Sequence, residues 1–464
     1  MTNQTYVDDL RTSASKHLIP HFTKSKDWAA NRWPIIVEGD GCFVFDDQGR
    51  KYLDGLSGLF CVNLGYGRDD LVAAAANQMK KLSFAPNWKE AHPSAIEASA
   101  SIAAVTPGDL NRTFFVNSGS EAVEAAIKFA RQYFWANGEP WRRRIITRHL
   151  AYHGTTMGAL SATALPRIKR PFEPMLDGFS HISNSMALTG VDDPVLVEEH
   201  LRLLEEEIIV LDPSSIALLI AEPIQNSGGA ITPPAGYWSG LRRLCDKYGI
   251  LLLADEVITG FGRLGSFFGV ESMGVIPDMV TFAKGATSGY VPLGGLIVRD
   301  ALASKLFEAA PSFTHGSTFG AHPVATAVLN ANVAAISNEG ILDNVKDLQN
   351  LLSKELTRLR ENHICAYQLR GSGFLWALEL AADSENMRPF TPSQSEEVLG
   401  EVVPAALDEA GLIVRPDDRG GTMLVISPPL VANEEIIGQL CERLDTVLSK
   451  VDRFCESLSK RKEG

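Results

Sequence analysis

Long apolar stretches are the first thing this 464-residue sequence lacks. No uninterrupted run of about 18 apolar residues occurs, so no membrane-spanning helix is expected. The opening segment MTNQTYVDDLRTSASKHL has polar and charged residues where a secretory signal would carry its apolar core, and a soluble, cytoplasmic protein is expected. Cysteine is sparse. Cys42, Cys61, Cys245, Cys365, Cys441 and Cys455 lie far apart, with no CxxC pair and no zinc-ligand spacing, so free thiols are expected and a metal site is not. Positive charge is also in short supply: 43 Lys+Arg stand against 56 Asp+Glu, a net charge of −13, with basic runs only at 142–144 and 460–462. Nucleic acid is therefore not an expected partner. No G-x-G-x-x-G follows a first strand with an acid about 20 residues on, which counts against a nicotinamide-dependent oxidoreductase. Internal repeats and low-complexity tracts are missing as well.

What is present is core-forming material, with hydrophobic residues at 45% of the chain. At roughly 150 residues per domain this length predicts two or three domains, hence two lobes with a cleft between them. Up to about residue 64 short strand-like pieces (35–37, 42–45) alternate with turns, Asp46-Asp47-Gln48-Gly49 being a hairpin signal. Helical periodicity takes over at 70–81 and 93–105. Apolar strands then alternate with helices: strands at 113–116, 145–148, 216–222, 250–255, 279–283 and 295–298, helices at 120–133 and 237–248. Strands apolar on both faces predict a doubly wound, mostly parallel α/β sheet covered by helices. After residue 322 come two long helices (324–336, 342–360) and strands at 373–380 and 423–427, an α+β lobe that the early strands would join. The expected division is 1–64 as the first part of a small domain, 65–322 as the large α/β domain and 323–464 as the rest of the small one.

In such a sheet ligands bind beyond the carboxyl ends of the strands, so the residue following each apolar run is informative. Four ends carry chemistry. Asn117-Ser118-Gly119-Ser120-Glu121-Ala122 opens a helix whose N-terminus suits a phosphate, or is simply capped by Ser118 or Ser120. His149-Leu150-Ala151-Tyr152-His153-Gly154 offers an aromatic ring for a flat ligand, or an ordinary surface loop. Asp255 ends an apolar run and, if buried, needs a cation or several donors, whereas Glu256 is expected to point to solvent; a helix cap at Asp255 is the alternative. Lys284 follows a buried strand, where a desolvated amine would be a nucleophile for carbonyls and a snorkelling surface amine the ordinary outcome. Together these ends supply an anion cup, an aromatic plate, a buried acid and a nucleophilic amine, the four demands of pyridoxal 5′-phosphate.

The chain resembles the class III (ω-) aminotransferases, pyridoxal-phosphate enzymes of fold type I, over essentially its whole length. The matching segments are the Asn117 and Ala151-Tyr152-His153-Gly154 motifs, Ala221-Glu222-Pro223-Ile224-Gln225-Asn226, Leu253-Ala254-Asp255-Glu256-Val257, Phe282-Ala283-Lys284-Gly285 and His315-Gly316-Ser317-Thr318-Phe319-Gly320. Ser57-Gly58-Leu59-Phe60-Cys61-Val62-Asn63-Leu64-Gly65-Tyr66-Gly67 and Gly411-Leu412-Ile413-Val414-Arg415 are similar to the amine–pyruvate and β-alanine–pyruvate branch. By this resemblance Lys284 holds the cofactor as a Schiff base and Asp255 pairs with the pyridine N–H. Ser118, Gly119 and Ser120 form the phosphate cup, Tyr152 stacks on the ring, Val257 covers its other face, and Glu222 orients the pyridine-side hydrogen bonds. Thr318 completes the phosphate site of the other subunit, which implies a homodimer, or a tetramer of two such dimers.

Tyr152, Phe60 and Arg415 would meet the substrate. Many relatives carry tryptophan where Phe60 stands, so Phe60 would widen the small-substituent side of the pocket. Arg415 would swing in to bind a carboxylate, unless Asp417 or Asp418 engages it in a salt bridge; Arg263 is the next carboxylate anchor to consider. The implied reaction moves an amino group from an amine or ω-amino acid to pyruvate, ping-pong, through pyridoxamine phosphate. A 2-oxoglutarate-dependent aminotransferase, an aminomutase or a decarboxylase of the same fold are the alternatives, and a non-catalytic ligand-binding protein is the alternative of another class.

Overall fold

The computed structural model describes residues 3–29 and 33–460. Among these residues fifteen strands form three sheets. The first three strands are β1 (Ile36–Asp40), β2 (Phe43–Asp46) and β3 (Lys51–Asp54). β4 (Leu110–Val116), β5 (Arg144–Arg148), β6 (Phe179–Ile182), β7 (Ile216–Ala221), β8 (Leu251–Asp255), β9 (Met279–Phe282) and β10 (Gly294–Arg299) make the large sheet. The last five are β11 (Ala366–Ser372), β12 (Leu375–Leu380), β13 (Leu412–Ile413), β14 (Arg415–Asp417) and β15 (Met423–Ile426).

The large sheet runs β4-β10-β9-β8-β7-β5-β6. β10 is antiparallel to both of its neighbours and every other pairing inward from β9 is parallel. Six strands therefore end at one edge of the sheet, and that edge carries the chemistry-bearing loops. β7, β8 and β9 are buried at every position, which is why their sequences show continuous apolar runs rather than alternation. Helices cover both faces. The helix Gly119–Ala136 packs against β9 and β10, and the helix Tyr237–Tyr248 against β8. Gly249 ends the latter at φ 63°, the left-handed C-cap that glycine adopts without a Cβ clash.

β13 pairs in parallel with β3, Leu412 opposite Leu53, so segments from far-apart parts of the chain close one sheet, β1-β2-β3-β13. The third sheet, β11-β12-β15-β14, is antiparallel throughout. The helix Glu434–Lys460 closes this region by packing on the helices Ile341–Asn362 and Val403–Ala410. It does so with Ile437, Leu440, Cys441, Leu444, Val447, Leu448, Val451, Cys455 and Leu458 buried, the spacing of one helical face. Five of the six cysteines are buried, and Cys61 is the one only partly so.

The start of the chain departs from the strand-rich expectation: Asn3–His17 is a helix. Its sequence has no sustained apolar stripe to reveal it, and the Arg11–Asp47 ion pair at 2.7 Å ties it to the turn after β2. Among the described residues no helix is long and apolar enough to cross a membrane.

Candidate active site

Five strand ends converge on one cleft, lined among others by Ser118, Gly119, Ser120, Tyr152, Glu222, Asp255, Val257 and Lys284. The loop after β4 turns into the helix Gly119–Ala136, with Ser118 as its N-cap, its Oγ accepting from the Glu121 amide at 3.2 Å. Capping and cleft lining are thus both roles of this segment. The amides of Gly119 and Ser120 have no hydrogen-bond partner among the described residues, so the positive end of the helix is open to an anion. Two glycines make the approach close enough. A Cβ on Gly119 would stand 2.8 Å from Val257 Cγ1, and one on Gly154, at φ 129°, would stand 2.4 Å from Ser120 Oγ.

At the other end of the site Asp255, the last residue of β8, is buried with both carboxylate oxygens hydrogen-bonded. His153 Nδ1 lies 2.7 Å from its Oδ2, while Thr281 Oγ1 and the Val257 amide donate to its Oδ1 at 3.1 and 3.2 Å. Three donors meet the demand that burial places on a carboxylate. His153 is a site residue that the sequence reading did not single out. Its signal was available: an imidazole five residues after the end of β5, close enough in the sheet order to serve an acid that needed donors.

Glu222 follows β7 and lies beside this pair. Its Oε2 accepts from the Asn226 amide at 3.2 Å, whereas Oε1 is buried with no partner among the described residues, as is His153 Nε2. Burial pushes the Glu222 carboxyl up to about 7, against the opposing pull of His153 and Arg148. Lys284 follows β9 with a backbone φ of 42°, a conformation that non-glycine residues adopt rarely and that cluster at functional sites. Burial holds its ammonium below the ordinary lysine range, with Arg415 adding to the effect and Cys61, Asp255 and Glu222 opposing it.

Other sequence-derived candidates lie elsewhere. Phe60, at φ 62°, is buried in an apolar cluster with Ile224 and partly buried Ile258, two residues that line the cleft, but is not itself at its wall. Thr318 is exposed on its loop and does not line the cleft of its own chain. Arg415, at the start of β14, is close enough to bias both Lys284 and Tyr152 electrostatically.

Two expectations are corrected. Glu256 does not point to solvent: it is wholly buried, accepting from Thr259 Oγ1 at 2.5 Å and from the amides of Gly269 and Val270 at 2.8 and 2.7 Å. The chain turns out of β8 immediately after Asp255, which swings the next side chain under the following loop. Arg263 is not available as a carboxylate anchor. It is fully buried and donates to Asn63 Oδ1 at 2.7 Å, to Ser57 Oγ at 3.2 Å and to the Pro428 carbonyl, so its donors clamp three chain segments together.

Pyridoxal 5′-phosphate fits these residues: open amides at a helix N-terminus for the phosphate, a buried carboxylate for the ring nitrogen, an aromatic and an apolar side chain for the ring, and an amine of lowered basicity for the aldehyde. The model of the class-III aminotransferases matches residues 25–448. A probable aminotransferase of Mycobacterium tuberculosis is 42% identical over 447 residues, 96% of this chain and 95% of the relative. The putrescine–pyruvate aminotransferase of Pseudomonas aeruginosa is 36% identical over 430 residues, 91% and 92% of the two chains. The solved (S)-enantioselective ω-transaminase of Thermomicrobium roseum superposes with a TM-score of 0.91 at 38% identity, covering 96% of this chain and 98% of that one. The chain belongs to the class-III aminotransferases, pyridoxal 5′-phosphate enzymes of fold type I.

Proposed function

We propose that this aminotransferase moves an amino group from an amine or ω-amino acid to pyruvate in a ping-pong sequence of two half-reactions. What carries the proposal is one arrangement: the Lys284 amine, made less basic by burial, faces the cleft that also holds the Asp255–His153 pair and the open amides of Gly119 and Ser120. When bound, the cofactor supplies an aldehyde that condenses with amines and a ring that takes up the electron pair left when a carbon loses its proton.

The chain's residues do the rest. Lys284 Nζ, neutral in a larger fraction than a solvated lysine, would hold the cofactor at its aldehyde end and, when free, would move the proton taken from the substrate Cα. Asp255, oriented by His153, would hold the proton on the pyridine nitrogen of the bound cofactor, with Glu222 behind it. Ser118, Gly119 and Ser120 bind the phosphate, while Tyr152 and Val257 enclose the ring. Arg415 grips the carboxylate of the 2-oxo acid, and Phe60, through Ile224 and Ile258, sets the width of the pocket for a substituent. Pyruvate as acceptor is in keeping with the pyruvate-dependent relative from Pseudomonas aeruginosa.

A homodimer is part of the proposal, with Thr318 binding the phosphate held by the partner subunit, and so is a cytoplasmic location. Exposed Phe84, Trp88 and Phe319 lie around the Thr318 loop, Phe84 and Phe319 with ring centres 5.8 Å apart, an apolar surface that a second copy would cover. The small domain is assigned to 1–64 and 323–464, the large one to 65–322. A panel of amine donors with pyruvate and 2-oxoglutarate as acceptors, read with the spectrum of each half-reaction, tests the reading. Faster turnover with 2-oxoglutarate than with pyruvate would replace the acceptor, and release of carbon dioxide or an isomerised amino acid would replace the reaction.

A further inference from the structure

The corner of the site after β14 holds two arginines and one buried carboxylate. Asp417 is 4% exposed and is occupied by Arg419: the Arg419 amide and Nε donate to Oδ1 at 3.0 and 2.8 Å, Nε also reaches Oδ2 at 3.0 Å, and Nη2 closes on Oδ2. Arg415 Nε stands 3.6 Å from the same Oδ2, outside hydrogen-bonding distance, and its guanidinium donates to no described residue. Arg419 is itself pinned. Its carbonyl accepts from the Gly228 amide at 2.8 Å, and its guanidinium lies 5.7 Å from the centre of the Tyr152 ring, which lines the cleft. The neighbouring acid is spent elsewhere, Asp418 pairing with Arg167 on the surface.

A carboxylate gripped by a bidentate guanidinium has little acceptor capacity left for a second one. The corner thus leaves Arg415 with only a loose ion pair, the 3.6 Å approach to Asp417, and its half-buried guanidinium lies close enough to Lys284 to act on it electrostatically. We propose that Arg419 is a positioning residue for substrate carboxylates: by holding Asp417 it prevents that acid from capturing Arg415, and so keeps Arg415 available to the acid substrate. This rests on the role of Arg415 proposed above. The Asp417–Arg419 pair then sets how strongly acids are bound relative to uncharged amines, because it sets how far Arg415 is neutralised from within.

The holoenzyme tests this with Arg419→Gln, the double variant Asp417→Asn/Arg419→Gln, and Arg415→Ala. The readouts are the KM for pyruvate, the half-reaction with a simple alkylamine, and the calorimetric affinity of propionate, an unreactive carboxylate. Arg419→Gln should raise the pyruvate KM and weaken propionate roughly ten- to a hundredfold, the range for losing a charged hydrogen-bonded contact, while changing the alkylamine half-reaction much less. The double variant should recover most of the loss, since no acid remains to capture Arg415. Equal loss in both half-reactions, with no recovery in the double variant, would mean that Arg419 only holds the loop, and overturns the inference. If Arg415→Ala weakens pyruvate and propionate but Arg419→Gln does not, the inference falls and the role of Arg415 stands; if Arg415→Ala changes neither, both fall.

Discussion

His153 Nδ1 and Asp255 Oδ2 lie 2.7 Å apart, with both side chains almost completely excluded from solvent. The bond joins the loop after β5 to the end of β8, two strands with β7 between them, so the sheet order itself brings donor to acceptor. His153→Phe would keep a planar ring and remove the donor, leaving Asp255 with Thr281 and the Val257 amide. Half-reaction rates should fall roughly ten- to a hundredfold, as for loss of a hydrogen bond to a charged group. Asp255→Asn should cost more, with little change in melting temperature. Stopped-flow rates and thermal melts separate these effects, and unchanged rates in both variants would make the pair structural.

Lys284→Ala removes nucleophile and proton carrier together. Turnover should drop by several orders of magnitude, while the cofactor remains bound without covalent attachment. Absorbance after gel filtration, with and without borohydride treatment, checks the attachment independently of activity. Near-normal turnover would reassign the lysine.

Thr318→Ala should weaken cofactor retention, because Thr318 is proposed to act across a subunit interface rather than in its own cleft. Light scattering should show a dimer. A monomer that stays fully active on dilution would rule out shared sites.

Arg263→Met should destabilise the protein by about 2–4 kcal/mol, since Asn63, Ser57 and the Pro428 carbonyl each lose a buried donor. In the surviving folded enzyme the ratio of pyruvate to alkylamine activity should be preserved. A selective loss of carboxylate binding would return Arg263 to the substrate site.

His363 carries a pH dependence. Its Nδ1 lies 2.7 Å from Asp452 Oδ2 and its Nε2 3.2 Å from Asp445 Oδ1, and only imidazolium can donate from both nitrogens. The bond to Asp452 is the main cause of a raised pKa, with burial opposing it. A folded-state value above the unfolded one of about 6.5 gives stability that is complete below that pH and is lost as pH rises through the folded value. The melting-temperature gap between the parent and His363→Gln should therefore be widest near pH 6 and shrink under alkaline conditions. A gap that grows with pH would contradict this.

The sequence by itself determined the alternation of strand and helix and the identity of the residue at each strand end. Both are local properties: a strand buried on two faces is continuously apolar, and the first polar residue at or just after its end marks where it stops. Val116, Arg148, Ala221, Asp255 and Phe282 end their strands at, or one residue before, the ends that pattern predicts. Local pattern failed where burial leaves no periodic trace, as in the polar helix Asn3–His17 and the short edge strand β6. Tertiary structure alone decided the partners. Whether Asp255 takes a histidine, whether Glu256 turns inward, and which of Arg415 and Arg419 holds Asp417 depend on strand order and loop approach, which bring together groups far apart in sequence or choose between near neighbours by a difference of about 1 Å in reach. Hydrogen bonds and ion pairs weaken steeply over such distances, so their choice of partner is settled by packing rather than by residue type.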